Sequence, residues 1–326
     1  MASGTVYDDV HHTLVNDQPK LLLAVINEAH GENYTGEEKI VQRHNEHYFK
    51  RQGGETDKKI TDNYLEVYSN EKVEGHHIES QSTPDSSITK RVFEYDVQIA
   101  LEEASVSEIG LTVKFPKSAV IYLRSNRNTP DVLETTIQTP GGIVTYNVPI
   151  LKIQNYSIEE IFEKKLFFFI PFHIFVYENK FEEYNGTMEQ VKELQERYTY
   201  ICRRLQELVS LGEIDEYTRC SLMEMTMKVV NALAAKFDNI KKGIGEVMGG
   251  KVLDYEAKDI WNAGRSEGIQ LGRSEGWNAG HNEGIQLGRS EGKLETYIAL
   301  IKDSILSLGE AAKRLGMSEE ELRERM

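Results

Sequence analysis

The chain is poor in cysteine, tryptophan and proline, and it carries fewer basic than acidic residues. Its two cysteines are Cys202 and Cys220. Two thiols build neither a disulfide framework nor a zinc cluster, and they fit a reducing, cytoplasmic setting. Lys and Arg number 38 against 53 Asp and Glu, a formal net charge of −15. That balance argues against a generic nucleic-acid coat, so contact with a polyanion needs a local basic patch. Lys58, Lys59, Lys90, Arg91, Arg124 and Arg127 are available for one. Long hydrophobic runs are missing as well. The most apolar stretch, LFFFIPFHIFVY at 166–177, falls far short of the ~20 residues that span a bilayer. It also contains Pro171 and His173, so a buried core segment is expected and no membrane association. MASGTVYDDV has no basic region followed by an apolar run, so no secretory signal is expected, and the sequons at Asn33, Asn155 and Asn185 carry little weight.

What is present alternates between helical and extended patterns. Residues 7–30 read as helix with a break at Pro19. ITDNYLEVY at 60–68 and VEGHHIESQ at 73–81 read as strands joined by the short link SNEK, a hairpin. Pro84 breaks the chain, and Asp85 is the expected cap of a helix from about Ser86 to Ala104. Three β-rich stretches follow at 118–124, 133–139 and 143–153, the last two turned by Gly141-Gly142. A helix opens at Ser157, with Glu160 as capping-box partner. The expected class is α/β over residues 1–185.

One stretch, HIESQSTPDSSITKRVFEYD at 77–96, concentrates chemistry. A strand has period two, so His77, Glu79 and Gln81 share one face, while Ile78 and Ser80 share the other. Asp62 opens the preceding strand, and in an antiparallel pair it neighbours Glu79. Asp62, Glu79 and the Ser80 carbonyl form an oxygen set suited to Mg2+ or Mn2+, and Gln81 is placed to orient a water. The competing reading is a row of solvated strand residues. Convergence of carboxylates favours the metal site. Arg91, Tyr95 and Gln98 recur at helical spacing. Arg91 either reaches a DNA phosphate, with Lys90 beside it, or braces the carboxylates. His76 and His77 read as strand or packing residues.

ITD at 60–62, HIESQS at 77–82 and RVFEY at 91–95 together resemble the PD-(D/E)xK nuclease superfamily, within it the recombination-promoting nuclease and putative transposase group. The resemblance runs over about residues 7–180 and into the helical region that follows, 186–257. It implies a restriction-endonuclease-like mixed sheet flanked by helices and a metal-dependent endonuclease acting on DNA. It implies metal ligation by Asp62 and Glu79, with Gln81 in the place of the usual Lys. Gln supplies neither positive charge nor a general base, so water activation then rests on the cation or the substrate phosphate. The group's first-helix motif D-x-V-F-K is matched by Asp8 and Val10 alone, with His11 and His12 in place of Phe and Lys. Asp8 is therefore a further candidate, as is Tyr95. The alternative is a catalytically inactive nuclease-like scaffold for DNA binding or assembly.

From Met188 the pattern changes. Val191, Leu194, Tyr198, Ile201, Leu205 and Leu208 alternate at three and four residues, an a/d seam expected to pack within the chain. LGEID breaks it, and a second helix carrying Leu222, Val229, Leu233, Phe237 and Ile240 completes a helical hairpin over 186–257. GEVMGGKV at 245–252 matches G-x-x-x-x-G-K, but Val252 stands where a phosphate loop needs Ser or Thr. Residues 261–276 and 277–292 are a tandem repeat with glycine at every fourth position. A four-residue period overshoots the helical turn by about 40° per step, so the glycines wind around a helix and form no straight seam. A helical or flexible arm over 258–293 is expected. SLGEAAKRLGMSEEELRERM, within the segment 294–326, resembles the opening of a helix-turn-helix, but its second helix is acidic. A short helical hairpin for capping or self-association is expected, and homo-oligomers through these C-terminal helices.

Overall fold

The computed structural model describes residues 5–43, 46–50, 56–60, 64–69, 72–107, 109–186, 188–249, 292–303 and 305–325. The chain divides into two compact units, Met1–Leu253 and Asp254–Met326. Asp62, and the tandem repeat up to its last residue, lie outside the described residues.

The first unit opens with helices α1 (Val6–Asp17) and α2 (Leu21–His30). Thr5 and Asp8 close a capping box on α1. The helices part at Pro19, and Gly31 ends α2 in the left-handed region at φ 67°. Strands β1 (Lys39–Arg43), β2 (Glu46–Lys50) and β3 (Thr56–Ile60) follow. Next come β4 (Tyr64–Ser69) and β5 (Lys72–Gln81), an antiparallel hairpin. Lys58 and Lys59 belong to β3, which pairs with β2 in a small separate sheet. Helix α3 (Ile88–Glu102) leads through the short strands β6 (Ser105–Ser107) and β7 (Gly110–Thr112) to β8 (Lys117–Tyr122). Strands β9 (Val132–Thr139) and β10 (Gly142–Lys152) complete the sheet.

The main sheet has six strands in the order β1-β4-β5-β8-β10-β9. Its centre, β5-β8-β10, is parallel, and both margins are antiparallel. The crossover from β5 to β8 runs through α3, as a parallel connection requires. In register, Ile78 lies beside Ala119 and Glu79 beside Val120, so each pair shares a face. Ile78, Ala119, Ile121 and Leu151 enter the large core with α1 and α2. Val120, Tyr122, Val148 and Ile150 pack against Ile88 and Val92 of α3 on the other face. The molecule is thus a mixed α/β sheet flanked by helices.

Ser157 and Glu160 form the expected capping box on α4 (Ile158–Glu163). The apolar stretch becomes a 3-10 segment, Phe167–Lys180, whose residues 167–175 are all buried. Helices α5 (Phe181–Gly186), α6 (Met188–Ser210), α7 (Glu216–Leu233) and α8 (Asp238–Gly249) follow. The whole α6 seam from Val191 to Leu208 is buried. Its members from Leu194 onward lie in the same core as the sheet. The expected single second helix is two, parted at Ala234–Phe237, so Leu233 and Ile240 sit on different rods. Gly245–Gly249 of the near-match to a phosphate loop belong to α8 and not to a strand-to-helix turn. No helix among the described residues is long and apolar enough to cross a membrane.

One glycine sets a helix crossing. A Cβ on Gly243 would lie 2.5 Å from Val191 Cγ1, and Gln195 Nε2 donates to the Gly243 carbonyl at 3.0 Å. Val191 is buried and β-branched, so it has no easy rotamer of escape. Gly243→Ala should therefore destabilise by about 1–3 kcal/mol through overpacking, although alanine is the better helix former by about 1 kcal/mol. A urea midpoint equal to or above wild type would show that the crossing is not tight.

The second unit holds α9 (residues 292–302), α10 (Leu308–Leu315) and α11 (Glu319–Glu324). Gly316 turns the chain at φ 70°, and Ser318 with Glu321 boxes the start of α11. Ala311, Ala312 and Leu322 are its buried centre, packed by Leu294, Tyr297, Ile298 and Ile301.

Candidate functional site

Strand β5 ends at the carboxyl edge of the parallel centre, and α3 returns over that edge. Glu79, Ser80, Gln81 and Ser82 line a pocket of about 310 Å³ there, together with Arg91 and Tyr95 of α3 and Asp8 of α1. The pocket therefore gathers Glu79, Ser80, Gln81, Arg91 and Tyr95 from the consecutive elements β5 and α3, and Asp8 from the distant α1. Asp62 lies outside the described residues, and the last pairing of the hairpin before it is Tyr64 with His77. Lys90 points elsewhere. Its side chain is 80% exposed and lies 3.5 Å from Glu94, one turn along α3.

Asp85 departs from the expected cap. Helix α3 starts at Ile88 after Ser87, which makes no side-chain cap bond. Asp85 instead accepts from the Ser87 amide at 3.1 Å, holding the turn that precedes the helix. Arg91 and Tyr95 of the helix that follows line the pocket with the end of β5.

Glu79 is 2% exposed and is the centre of the polar contacts. Arg91 Nε donates to Glu79 Oε1 at 2.9 Å, and its Nη2 lies 2.8 Å from the same oxygen. Gln81 Nε2 donates to that oxygen at 3.0 Å and to the Ser80 carbonyl at 2.5 Å. Of the two roles open to Arg91 in the sequence, the brace on a carboxylate is the one formed here.

Behind Glu79 stands a second layer that sequence reasoning missed. His77 is fully buried, and its Nε2 lies 3.8 Å from Glu79 Oε2. Its Nδ1 donates to Asp96 Oδ1 at 2.8 Å. Asp96 is also fully buried and accepts from Ser118 Oγ at 2.6 Å and from Tyr146 Oη at 3.4 Å. Burial alone would push the imidazole down, but the Asp96 and Glu79 carboxylates outweigh it and raise His77 to about 9. His77 is thus a cation at neutral pH, and charges alternate from Asp96 through His77 and Glu79 to Arg91. A signal was present: Asp96 falls between Val92 and Ile99 on the apolar stripe of α3, a carboxylate at a core position.

Two further residues stand near this site, one coupled to Glu79 and one bonded to the Ser82 carbonyl. His11 is buried against Phe168. Burial, with His12 beside it, lowers it to about 3 against the pull of Glu79, so it is neutral. Arg124, counted toward a basic patch, is turned inward. It pairs with both oxygens of Glu178 at 2.6 and 2.8 Å, lies over the Phe175 ring and donates to the Ser82 carbonyl at 3.4 Å.

Among the described residues, no group of three or more His, Cys, Asp or Glu stands ready to hold a metal ion. The described pocket contributes two carboxylates, Asp8 and Glu79, and the Ser80 carbonyl. Asp8 Oδ2 also accepts from the Thr5 amide at 2.8 Å. An all-oxygen set of this kind fits a hard divalent cation. The N–H donors of Arg91 and Gln81 converge on Glu79 Oε1 and the Ser80 carbonyl, and such donors seek the same oxygens as a cation does. No family model, curated protein or solved structure matches the chain.

Proposed function

We propose that the chain is a metal-dependent endonuclease that hydrolyses phosphodiester bonds in DNA, on a restriction-endonuclease-like sheet of the PD-(D/E)xK kind, with a recombination-promoting or transposase-related role. One observation carries this reading. Glu79, Ser80 and Gln81 of β5 meet Asp8, Arg91 and Tyr95 in one polar pocket at the carboxyl edge of the parallel strands.

Glu79, with the Ser80 carbonyl and Asp8, would hold Mg2+ or Mn2+, and Asp62 is the fourth candidate ligand. When bound, such a cation supplies Lewis-acid polarisation of a phosphate and a lowered pKa for water. The protein groups do the rest. His77, braced by Asp96, keeps a positive charge beside Glu79. Gln81 can hold a water by its amide but takes no proton. In hydrolysis the water oxygen bonds to phosphorus, the bond from phosphorus to one sugar oxygen breaks, and that oxygen leaves with a proton. The proton lost by the water goes to solvent or to a phosphate oxygen, because no described base adjoins Gln81 other than the carboxylates.

Plasmid nicking tests this. Wild type should nick supercoiled DNA only with Mg2+ or Mn2+, and Glu79→Ala should reduce the rate by at least ~100-fold while far-UV circular dichroism stays unchanged. Equal nicking by wild type and variant would overturn the assignment. A second reading, an inactive scaffold for DNA binding or assembly, draws on the net charge of −15 and on the ion pair that covers Glu79. It requires that wild type itself show no cation-dependent nicking.

A further inference from the structure

Two of the oxygens that the hydrolase reading assigns to a cation, Glu79 Oε1 and the Ser80 carbonyl, accept from the protein's own donors. Arg91 places two nitrogens on Glu79 Oε1, at 2.9 and 2.8 Å, and Gln81 Nε2 bridges that oxygen and the Ser80 carbonyl. A guanidinium and a divalent cation at contact distance from one buried oxygen repel each other and so compete for it.

The two partners differ in their freedom. Glu79 is 2% exposed and lies on the central strand, so its carboxylate has nowhere to turn. Arg91 is 26% exposed, on a long stem from the second turn of α3, and it lines the pocket mouth. Any exchange therefore moves the arginine. A guanidinium released in that mouth presents a planar fork of donors, the geometry that suits a phosphate. Its desolvation has already been met in part by the pocket, so little is lost in passing from carboxylate to phosphate.

We infer that Arg91 is an exchange group: it neutralises Glu79 in the resting protein, yields that oxygen to the divalent cation, and transfers to the phosphate of the arriving substrate. This rests on the hydrolase reading. It also inverts the usual expectation for a residue in a metal pocket. A brace that organised Glu79 for the cation would, on removal, weaken cation binding. A competitor for Glu79 would, on removal, strengthen it.

Calorimetric titration of Mn2+ into the full chain without DNA separates the two. Arg91→Met should bind Mn2+ about tenfold more tightly than wild type, because a positive charge near 3 Å from the ligand oxygen is gone. The same variant should bind a short duplex DNA more weakly, because the phosphate loses its fork. Arg91→Lys keeps the charge but not the fork, and it should lie between wild type and the methionine variant in Mn2+ affinity. It supplies the comparison if the methionine variant does not fold. Equal or weaker Mn2+ binding by the folded variants, with wild type binding, overturns the exchange and leaves the hydrolase reading standing. Absence of Mn2+ binding in wild type and variants overturns both.

Discussion

Asp96→Ala should cost about 3–5 kcal/mol of folding stability, the usual loss when one partner of a buried ion pair is removed. Asp96 and His77 are both fully buried, 2.8 Å apart. Truncation leaves the imidazole facing a cavity on one side and Glu79 at 3.8 Å on the other. Ser118 Oγ and Tyr146 Oη lose their acceptor at the same time. A buried polar group without a partner costs about 1–3 kcal/mol, so the losses compound. Asp96→Asn keeps the shape and one acceptor oxygen and should cost less than alanine. Urea unfolding followed by circular dichroism measures both. A loss below ~1 kcal/mol for alanine would mean that His77 is neutral and that the alternating charge row does not exist.

Acidification from pH 7 to pH 5 should remove a large part of the stability, and histidines are the reason. His11 and His76 are lowered to about 3 and His173 to about 4. Burial is the main cause in each, assisted by His12 at His11, by His30 and Lys117 at His76, and by Arg197 at His173. The ordinary value in the unfolded chain is about 6.5. A folded pKa below the unfolded one means that the unfolded chain binds more protons between the two values. Stability is then present above pH ~6.5 and falls as pH drops toward 4 and 3. At pH 5 each of the three costs on the order of 2 kcal/mol. His77 runs the other way. Its folded value near 9 lies above the unfolded one, so its contribution is complete below pH ~6.5 and is lost as pH rises through 9. Between pH 7 and 5 it returns less than ~1 kcal/mol, and the net loss is about 5 kcal/mol. Since domains are stable by about 5–15 kcal/mol, the urea midpoint should drop steeply over this range. A midpoint unchanged between pH 7 and 5 would show that these imidazoles are hydrated and free to titrate.

Much of the fold was legible because its signals are local. The capping box at Ser157 and Glu160, the break at Pro19 and the Gly141-Gly142 turn each depend on residues a few positions apart. The α6 seam was legible for the same reason, since helical period alone selects Val191 through Leu208. The parting of α7 and α8 was not. Leu233, Phe237 and Ile240 keep helical spacing across Ala234–Phe237, and periodicity cannot see a bend that packing against α5 and α6 imposes. Arg124 was misjudged as surface charge because its partner, Glu178, lies more than fifty residues away.

Within the site the division is sharper. Strand period alone determined that His77, Glu79 and Gln81 share a face, and helix period that Arg91 and Tyr95 do. Which charges meet was decided only by the tertiary structure. The parallel pairing of β5 with β8 sets Ser118 beside His77, and the crossover through α3 brings Asp96 onto both and Arg91 onto Glu79. Side-chain pairing across such a crossover depends on the axial position of a helix over a sheet. A shift of one residue in α3 would turn Arg91 away by about 100° and leave every local pattern intact.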